Sequence, residues 1–194
     1  MKKLLLAAFA LAGVVAVPTL GILTAGAGAS PPDGLQAVKA AASRYHSIVQ
    51  AERDGYTTEN EPCVSAPPPP GFTGAMGVHA VNPALIGDGV IDPLRPELLL
   101  YLPKANGKLE LVGVEYFAVA LANTEAGPAP WFGESEPALG FFTPAPSVLG
   151  QTFDGPMPGH TPTMPWHYDL HVWLWADNPA GLFAPFNPAL PCPS

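Results

Sequence analysis

Basic residues are scarce in this chain: eight Lys and Arg stand against 16 Asp and Glu. Two of the eight, Lys2 and Lys3, sit at the extreme N-terminus, so the remainder carries six basic groups and a formal charge of −10. A surface of that sign repels phosphate, which argues against nucleic acid and anionic membrane surfaces as partners. Beyond residue 30 no apolar run is long enough to span a bilayer. Short catalytic signatures are also missing. There is no His-Glu-x-x-His pair, Ser135 sits in Gly133-Glu134-Ser135-Glu136 rather than a nucleophile elbow, and the one dense glycine run lies in the first 30 residues. Two cysteines, 129 positions apart, do not make a thiolate metal site.

What is present begins at the N-terminus. Lys2-Lys3 precede an apolar run from Leu4 to about Leu23, and Ala25-Gly26-Ala27-Gly28-Ala29-Ser30 follows. This is the pattern of a secretory signal peptide, with a charged start, an apolar centre and small-residue cleavage options. The expectation is a leader over 1–29, cut after Ala27 or Ala29, and one exported domain over 30–194, secreted or held in the periplasm or cell envelope. An uncleaved anchor is the alternative, because the run is long for a leader. The remaining chain of about 165 residues is one domain by length. Export places Cys63 and Cys192 in an oxidising compartment, and a Cys63–Cys192 disulfide is the economical pairing.

Pro and Gly make up 46 residues, near the level where disorder becomes the default, but nine Phe, five Tyr and four Trp favour a folded, loop-rich domain. Leu35, Val38, Ala42, Tyr45 and Val49 form the stripe of an amphipathic helix over about 34–54, with Asp33 as N-cap and Gly55 as stop. His46 lies beside the stripe and faces solvent. Pro67–Pro70 favours extended polyproline geometry. Met76–Val81 reads as a short strand ending at Asn82-Pro83, with turns beyond. Residues 97–102 and 109–121 read as a hairpin about Asn106-Gly107. A two-residue turn there sets Leu98 opposite Glu115, Leu100 opposite Gly113 and Leu102 opposite Leu111, and sends Glu115 to a leucine-lined face. Between Asn123 and Pro165 the prolines exclude a continuous central strand, leaving short extended pieces near Leu139–Phe142 and Val148–Phe153. The Asn-Pro turns at Asn178 and Asn187 lead the tail back towards Cys63. The class is α+β: an N-terminal helix on a curved, mainly antiparallel sheet or incomplete barrel with long Pro-rich loops.

The segment Trp166–Trp175 carries the most chemistry. As a strand it places His167, Asp169, His171, Trp173 and Trp175 on one face, and Tyr168, Leu170, Val172 and Leu174 on the other. Both faces are apolar enough to be buried, and buried imidazoles and carboxylates need partners.

Five pieces together resemble a group of secreted bacterial hypothetical proteins without an assigned activity. They are Met76-Gly77-Val78-His79 leading to Asn82-Pro83, Pro96 to Tyr101, Leu111-Val112-Gly113-Val114-Glu115-Tyr116, Phe153 to His160, and His167 to Trp175. The likeness covers nearly all the mature chain. It implies no reaction, only that His79, Glu115, His160, His167 and His171 belong to one site.

Imidazole and carboxylate together suit a transition metal ion such as Zn, Cu, Fe or Mn. The ligands expected are His79, Glu115, His171 and His167. Asp169 is expected to orient an imidazole by accepting its second N–H, and His160 to act as a lid. Strand geometry limits the set. Residues four apart lie about 13–14 Å apart along a strand, so His167 and His171 share an ion only where the strand bends. Asp169 with one of the two His, or one His with His79 and Glu115, fits more easily. The other His then supports a ligand from behind or lies in a separate site. The preferred set is His79, Glu115 and His171, with His167 next. Three other readings stay open. The same groups can satisfy one another as a closed network, Glu115 with a histidine can work as a metal-independent general acid or base, and Trp131, Trp166, Trp173 and Trp175 can wall a small-molecule pocket.

Overall fold

Strand pairing organises the chain. The computed structural model describes residues 31–59, 61–67, 71–137 and 142–193, with side chains from Gly34 onward. The leader expected over 1–29, most of the Pro67–Pro70 run, and all but Phe142 of the Leu139–Phe142 piece lie outside the described residues. The elements are α1 (Pro31–Ala42), a 3-10 turn (Ser43–His46), α2 (Ile48–Arg53), β1 (Val64–Ser65), β2 (Ala75–Val81), α3 (Pro83–Asp88), β3 (Leu98–Pro103) and β4 (Leu109–Val119). Then come β5 (Leu121–Thr124), β6 (Gly127–Pro130), β7 (Ser147–Val148), β8 (Gln151–Thr152), β9 (Asp154–Met157) and β10 (His167–Val172). Six strands form one antiparallel half-barrel sheet in the order β1-β2-β3-β4-β10-β9, and β5-β6 and β7-β8 are separate ribbons. The class is α+β.

The N-terminal helical segment differs from the single helix read over 34–54. Val38, Ala42 and Tyr45 are buried as the stripe requires, but Val49 is 51% exposed. The 3-10 turn and the extended Ser47 reset the helical phase, so Ala51 takes the buried place instead. α1 runs Pro31–Ala42, and the side chain of Asp33, the expected N-cap, lies outside the description. Gly55 closes α2 with φ +95°, while the Tyr56 N–H returns to the Ala51 carbonyl. Asn82-Pro83 opens a helix where turns were expected. The Asn82 side chain accepts from the Ala84 and Leu85 N–H groups, and Pro83 fills the first helical position.

The β3–β4 hairpin reaches the expected pairing of Leu98 with Glu115 and Leu100 with Gly113 by another route. The Lys104 N–H bonds the Lys108 carbonyl and the Gly107 N–H bonds the Lys104 carbonyl, so the loop has three residues, with Gly107 left-handed at φ +77°. That alone would shift the register by one. A bulge between Leu100 and Tyr101 on the β3 side, taking up Val112 on β4, shifts it back. Near the turn the shift remains, and Leu102 opposes Glu110 rather than Leu111.

One sheet face packs on the helical segment through Val78, Leu99, Tyr101, Leu111, Val114, Tyr116, Tyr168, Leu170 and Val172. Buried tyrosines tie this core to loops: the Tyr101 hydroxyl donates to the Tyr45 carbonyl at 2.6 Å, and Tyr116 to Pro93 at 2.7 Å. The opposite face carries Leu100, Leu102, Val112 and Trp173 at one end and the ionisable groups at the other. The tail crosses to the start of β2, where Asn187 and Ala75 exchange backbone hydrogen bonds. Cys63 and Cys192 form the expected disulfide.

Candidate metal centre

Alternation along β10 sends Tyr168, Leu170 and Val172 into the tyrosine-rich core, which leaves His167, Asp169 and His171 on the other face. All three are buried. The strand ends at Val172, however, so Trp175 leaves the expected face and packs edge-on against His46, 5.0 Å between centroids, under Lys39. In the β4–β10 ladder Glu115 stands directly across from His171. On β2, His79 pairs with Leu100, one diagonal step and one further strand from Glu115, within reach of a long side chain.

These three side chains converge. Nε2 of His79 lies 3.1 Å from Oε2 of Glu115, and Nε2 of His171 lies 3.5 Å from the same oxygen. One donor atom from each residue falls within 4.8 Å of the others. Yet Glu115 Oε2 and both ring nitrogens of His171 are buried with no hydrogen-bond partner among the described residues. Leaving a buried polar atom unpaired costs about 1–3 kcal/mol, more for a charge. Of these, Glu115 Oε2 and His171 Nε2 face each other, with His79 Nε2 on the same oxygen, and that pair calls for something between them.

Electrostatics prepare these groups as ligands. Burial works to raise the Glu115 carboxyl, but His171 and His79 outweigh it and hold the group down at about 2. Burial pushes His171 down to about 4, so its imidazole is neutral at pH 7. Burial also works to lower His79, but the adjacent Glu115 charge outweighs it and raises the group. Of the two imidazoles it is His79, not His171, in which the pull of Glu115 towards the charged form wins over burial. A carboxylate and a neutral imidazole are the states a metal needs, and His79 too binds only as the neutral imidazole. Two imidazole nitrogens and one carboxylate oxygen fit Zn, Cu(II), Fe or Mn, and three protein donors leave a fourth tetrahedral position open to water or substrate.

His167 stands apart from the three, opposite Val119 and four residues along the strand from His171. Its ring stacks on Phe117 at 4.7 Å, with His160 edge-on at 5.3 Å on an exposed loop. Burial pushes His167 down to about 4. Asp169 lies nearest His167, with Oδ2 3.9 Å from Nε2. Burial foremost, then the charges of Glu115 and Asp154, push Asp169 up to about 8.

Glu97 is a buried carboxyl that sequence reasoning passed over. β3 begins only at Leu98 and the Pro96 carbonyl accepts from the Tyr56 hydroxyl, so the Phe117 N–H lies beyond the β3 ladder. The Glu97 carboxylate accepts it at 3.1 Å. Its Oε1 has no partner among the described residues, and burial foremost pushes the group up to about 7. The signal was a charged residue between a proline and a run of buried leucines.

Trp166 donates to the Gly133 carbonyl and Trp131 to Ser135, both in the loop after β6, while Trp173 donates to Ala184 in the tail, each at 2.7 to 2.8 Å, so these three indoles pin two separate segments. Comparison with known proteins finds no family model, no curated protein and no solved structure that matches this chain.

Proposed function

We propose that this chain is an exported protein that binds a divalent transition metal ion through His79, Glu115 and His171. The observation that carries the reading is the shared Oε2 atom of Glu115. Two imidazole nitrogens stand 3.1 and 3.5 Å from one buried oxygen, and that of His171 has no hydrogen-bond partner among the described residues. An ion bound at about 2.0–2.2 Å from each ligand satisfies all three at once. A closed network or a general acid–base pair accounts for less, because Nε2 of His171 makes no hydrogen bond to Glu115 as it stands, whereas an ion between them takes up that nitrogen and leaves only Nδ1 without a partner among the described residues. Export rests on the leader pattern of residues 1–29 and agrees with the disulfide. The likeness to secreted bacterial proteins points the same way.

Thermal melting of metal-stripped, untagged protein tests the metal. At a hundredfold excess over Kd an ion that binds only the folded state adds about 2.7 kcal/mol, a rise of roughly 5–10 °C for a domain of this size. The absence of any shift with Zn, Cu, Fe and Mn contradicts the reading. Cell fractionation tests export: the chain leaves the cytoplasm shortened by about 29 residues, and a full-length cytoplasmic product contradicts it.

A further inference from the structure

We propose that His167 and Asp169, with His160 and Asp154 at the solvent edge, form a second position for a divalent transition cation on the same sheet face, separate in its ligands from the His79–Glu115–His171 centre.

The His167 ring is held in one tautomer. Its Nδ1 lies 3.2 Å from the Pro165 carbonyl oxygen, and only a protonated Nδ1 can donate there. Nε2 is then the lone-pair nitrogen, presented by a ring locked against Phe117. This arrangement, one nitrogen donating to a carbonyl and the other left free, is how proteins orient an imidazole for a metal. Nε2 is buried and has no hydrogen-bond partner among the described residues, and the same holds for Oδ1 of Asp169. The two side chains are 0% and 2% exposed as residues, so bulk water does not compensate them.

The 3.9 Å between His167 Nε2 and Asp169 Oδ2 is too long for a hydrogen bond. Two atoms that each ligate one ion at about 2.1 Å stand about 3.4 Å apart at a tetrahedral angle and up to about 4.2 Å apart at wider ones. The spacing therefore fits two ligands of one cation better than a hydrogen-bonded pair. A second carboxylate adds to the case. In the β9–β10 ladder Asp154 lies directly across from Asp169, so two carboxyl groups stand side by side at this position. His160, edge-on to His167, brings a further nitrogen from the exposed loop. Asp154 and His160 are both exposed, so this position opens to solvent, whereas the first centre is reached past the partly exposed His79. His167 cannot serve both. Regular pairing of β10 with β4 from His167 to Val172 keeps the strand extended, with about 13 Å between the backbones of His167 and His171.

The test uses the mature, disulfide-intact chain, stripped of metal and labelled with 15N-histidine, titrated with Zn2+ at neutral pH. The expected result is two equivalents bound in two phases. His79 and His171 respond in one, His167 Nε2 in the other, and His46 in neither. Asp169→Asn should weaken the His167 phase at least tenfold, while the His79/His171 phase persists and shows that the variant is folded. A His167 signal that does not move by two equivalents of zinc overturns the proposal. So does a single one-equivalent phase in which all three histidines move together, or a His167 phase untouched by Asp169→Asn. If His167 responds and His79 and His171 do not, this second position stands and the function proposed above falls.

Discussion

Glu115 and His171 face each other directly across β4 and β10, with Oε2 of one 3.5 Å from Nε2 of the other and no hydrogen bond between them. A register pair that ends in two unsatisfied atoms is an unusual use of a buried ladder position, and it gives the first prediction. Glu115→Gln keeps the shape and removes the charge. Zinc affinity measured by titration should fall by more than about 100-fold, the loss exceeding what outer-sphere changes produce. Unchanged affinity would remove Glu115 as a ligand.

The second prediction concerns pH. In the metal-free protein Glu97 and Asp169 titrate at about 7 and about 8, both raised by burial, and His79 is raised because Glu115 outweighs its burial. From pH 6.5 to 8 the folded state thus holds protons that the unfolded chain has released, and stability falls as pH rises. Below 6.5, His167 and His171, both lowered to about 4, favour proton uptake by the unfolded chain and oppose that trend. Metal ligands bind deprotonated, so zinc competes with protons and the zinc-induced rise in Tm should grow as pH rises. Melting curves at pH 6.5, 7.2 and 8.0 check both slopes. A metal-free Tm that climbs with pH would refute the assignment.

Gly113 is predicted to be intolerant of any side chain. A Cβ there would stand 2.6 Å from the Val172 carbonyl oxygen, which is backbone and cannot swing aside. Gly113→Ala should cost about 1–3 kcal/mol, read as a lower Tm. It should also weaken zinc binding, since the β4–β10 pairing that it disturbs holds Glu115 opposite His171. A fully stable variant would mean that the two backbones lie further apart than described.

The disulfide closes a loop of 129 positions between the segment before β1 and the tail. Replacing both Cys63 and Cys192 by Ser should destabilise the fold by up to about 4–5 kcal/mol on chain-entropy grounds. Urea denaturation of the variant against the oxidised parent measures it, and equal midpoints would contradict the prediction.

Much of this arrangement is legible in the sequence because period-two alternation is a local property. His167, Asp169 and His171 separate cleanly from Tyr168, Leu170 and Val172, and no tertiary knowledge is needed to see it. The opposition of Leu98 and Glu115 came out right from an incorrect turn, because the three-residue loop at Gly107 and the bulge at Val112 cancel. Neither leaves a mark strong enough to read alone. The break at Ser47 was hidden by a stripe that continues on paper to Val49, and α3 was hidden by a proline that starts helices as readily as it ends strands. Glu97 was missed because its partner, the Phe117 N–H, is 20 residues away and is left unpaired only where β3 begins. The grouping of His79, Glu115 and His171, with His167 apart, follows the expected preference, because strand spacing already separates the two β10 histidines. Which of them meets Glu115 depends on strand order, which alternation does not encode.

The most direct test of the central claim is metal analysis of the untagged, disulfide-intact protein purified without a nickel column. The account predicts at least one equivalent of transition metal per chain, reduced by one equivalent in His79→Ala and in His171→Ala. Substoichiometric metal in the parent, with the same content in both variants, would contradict it.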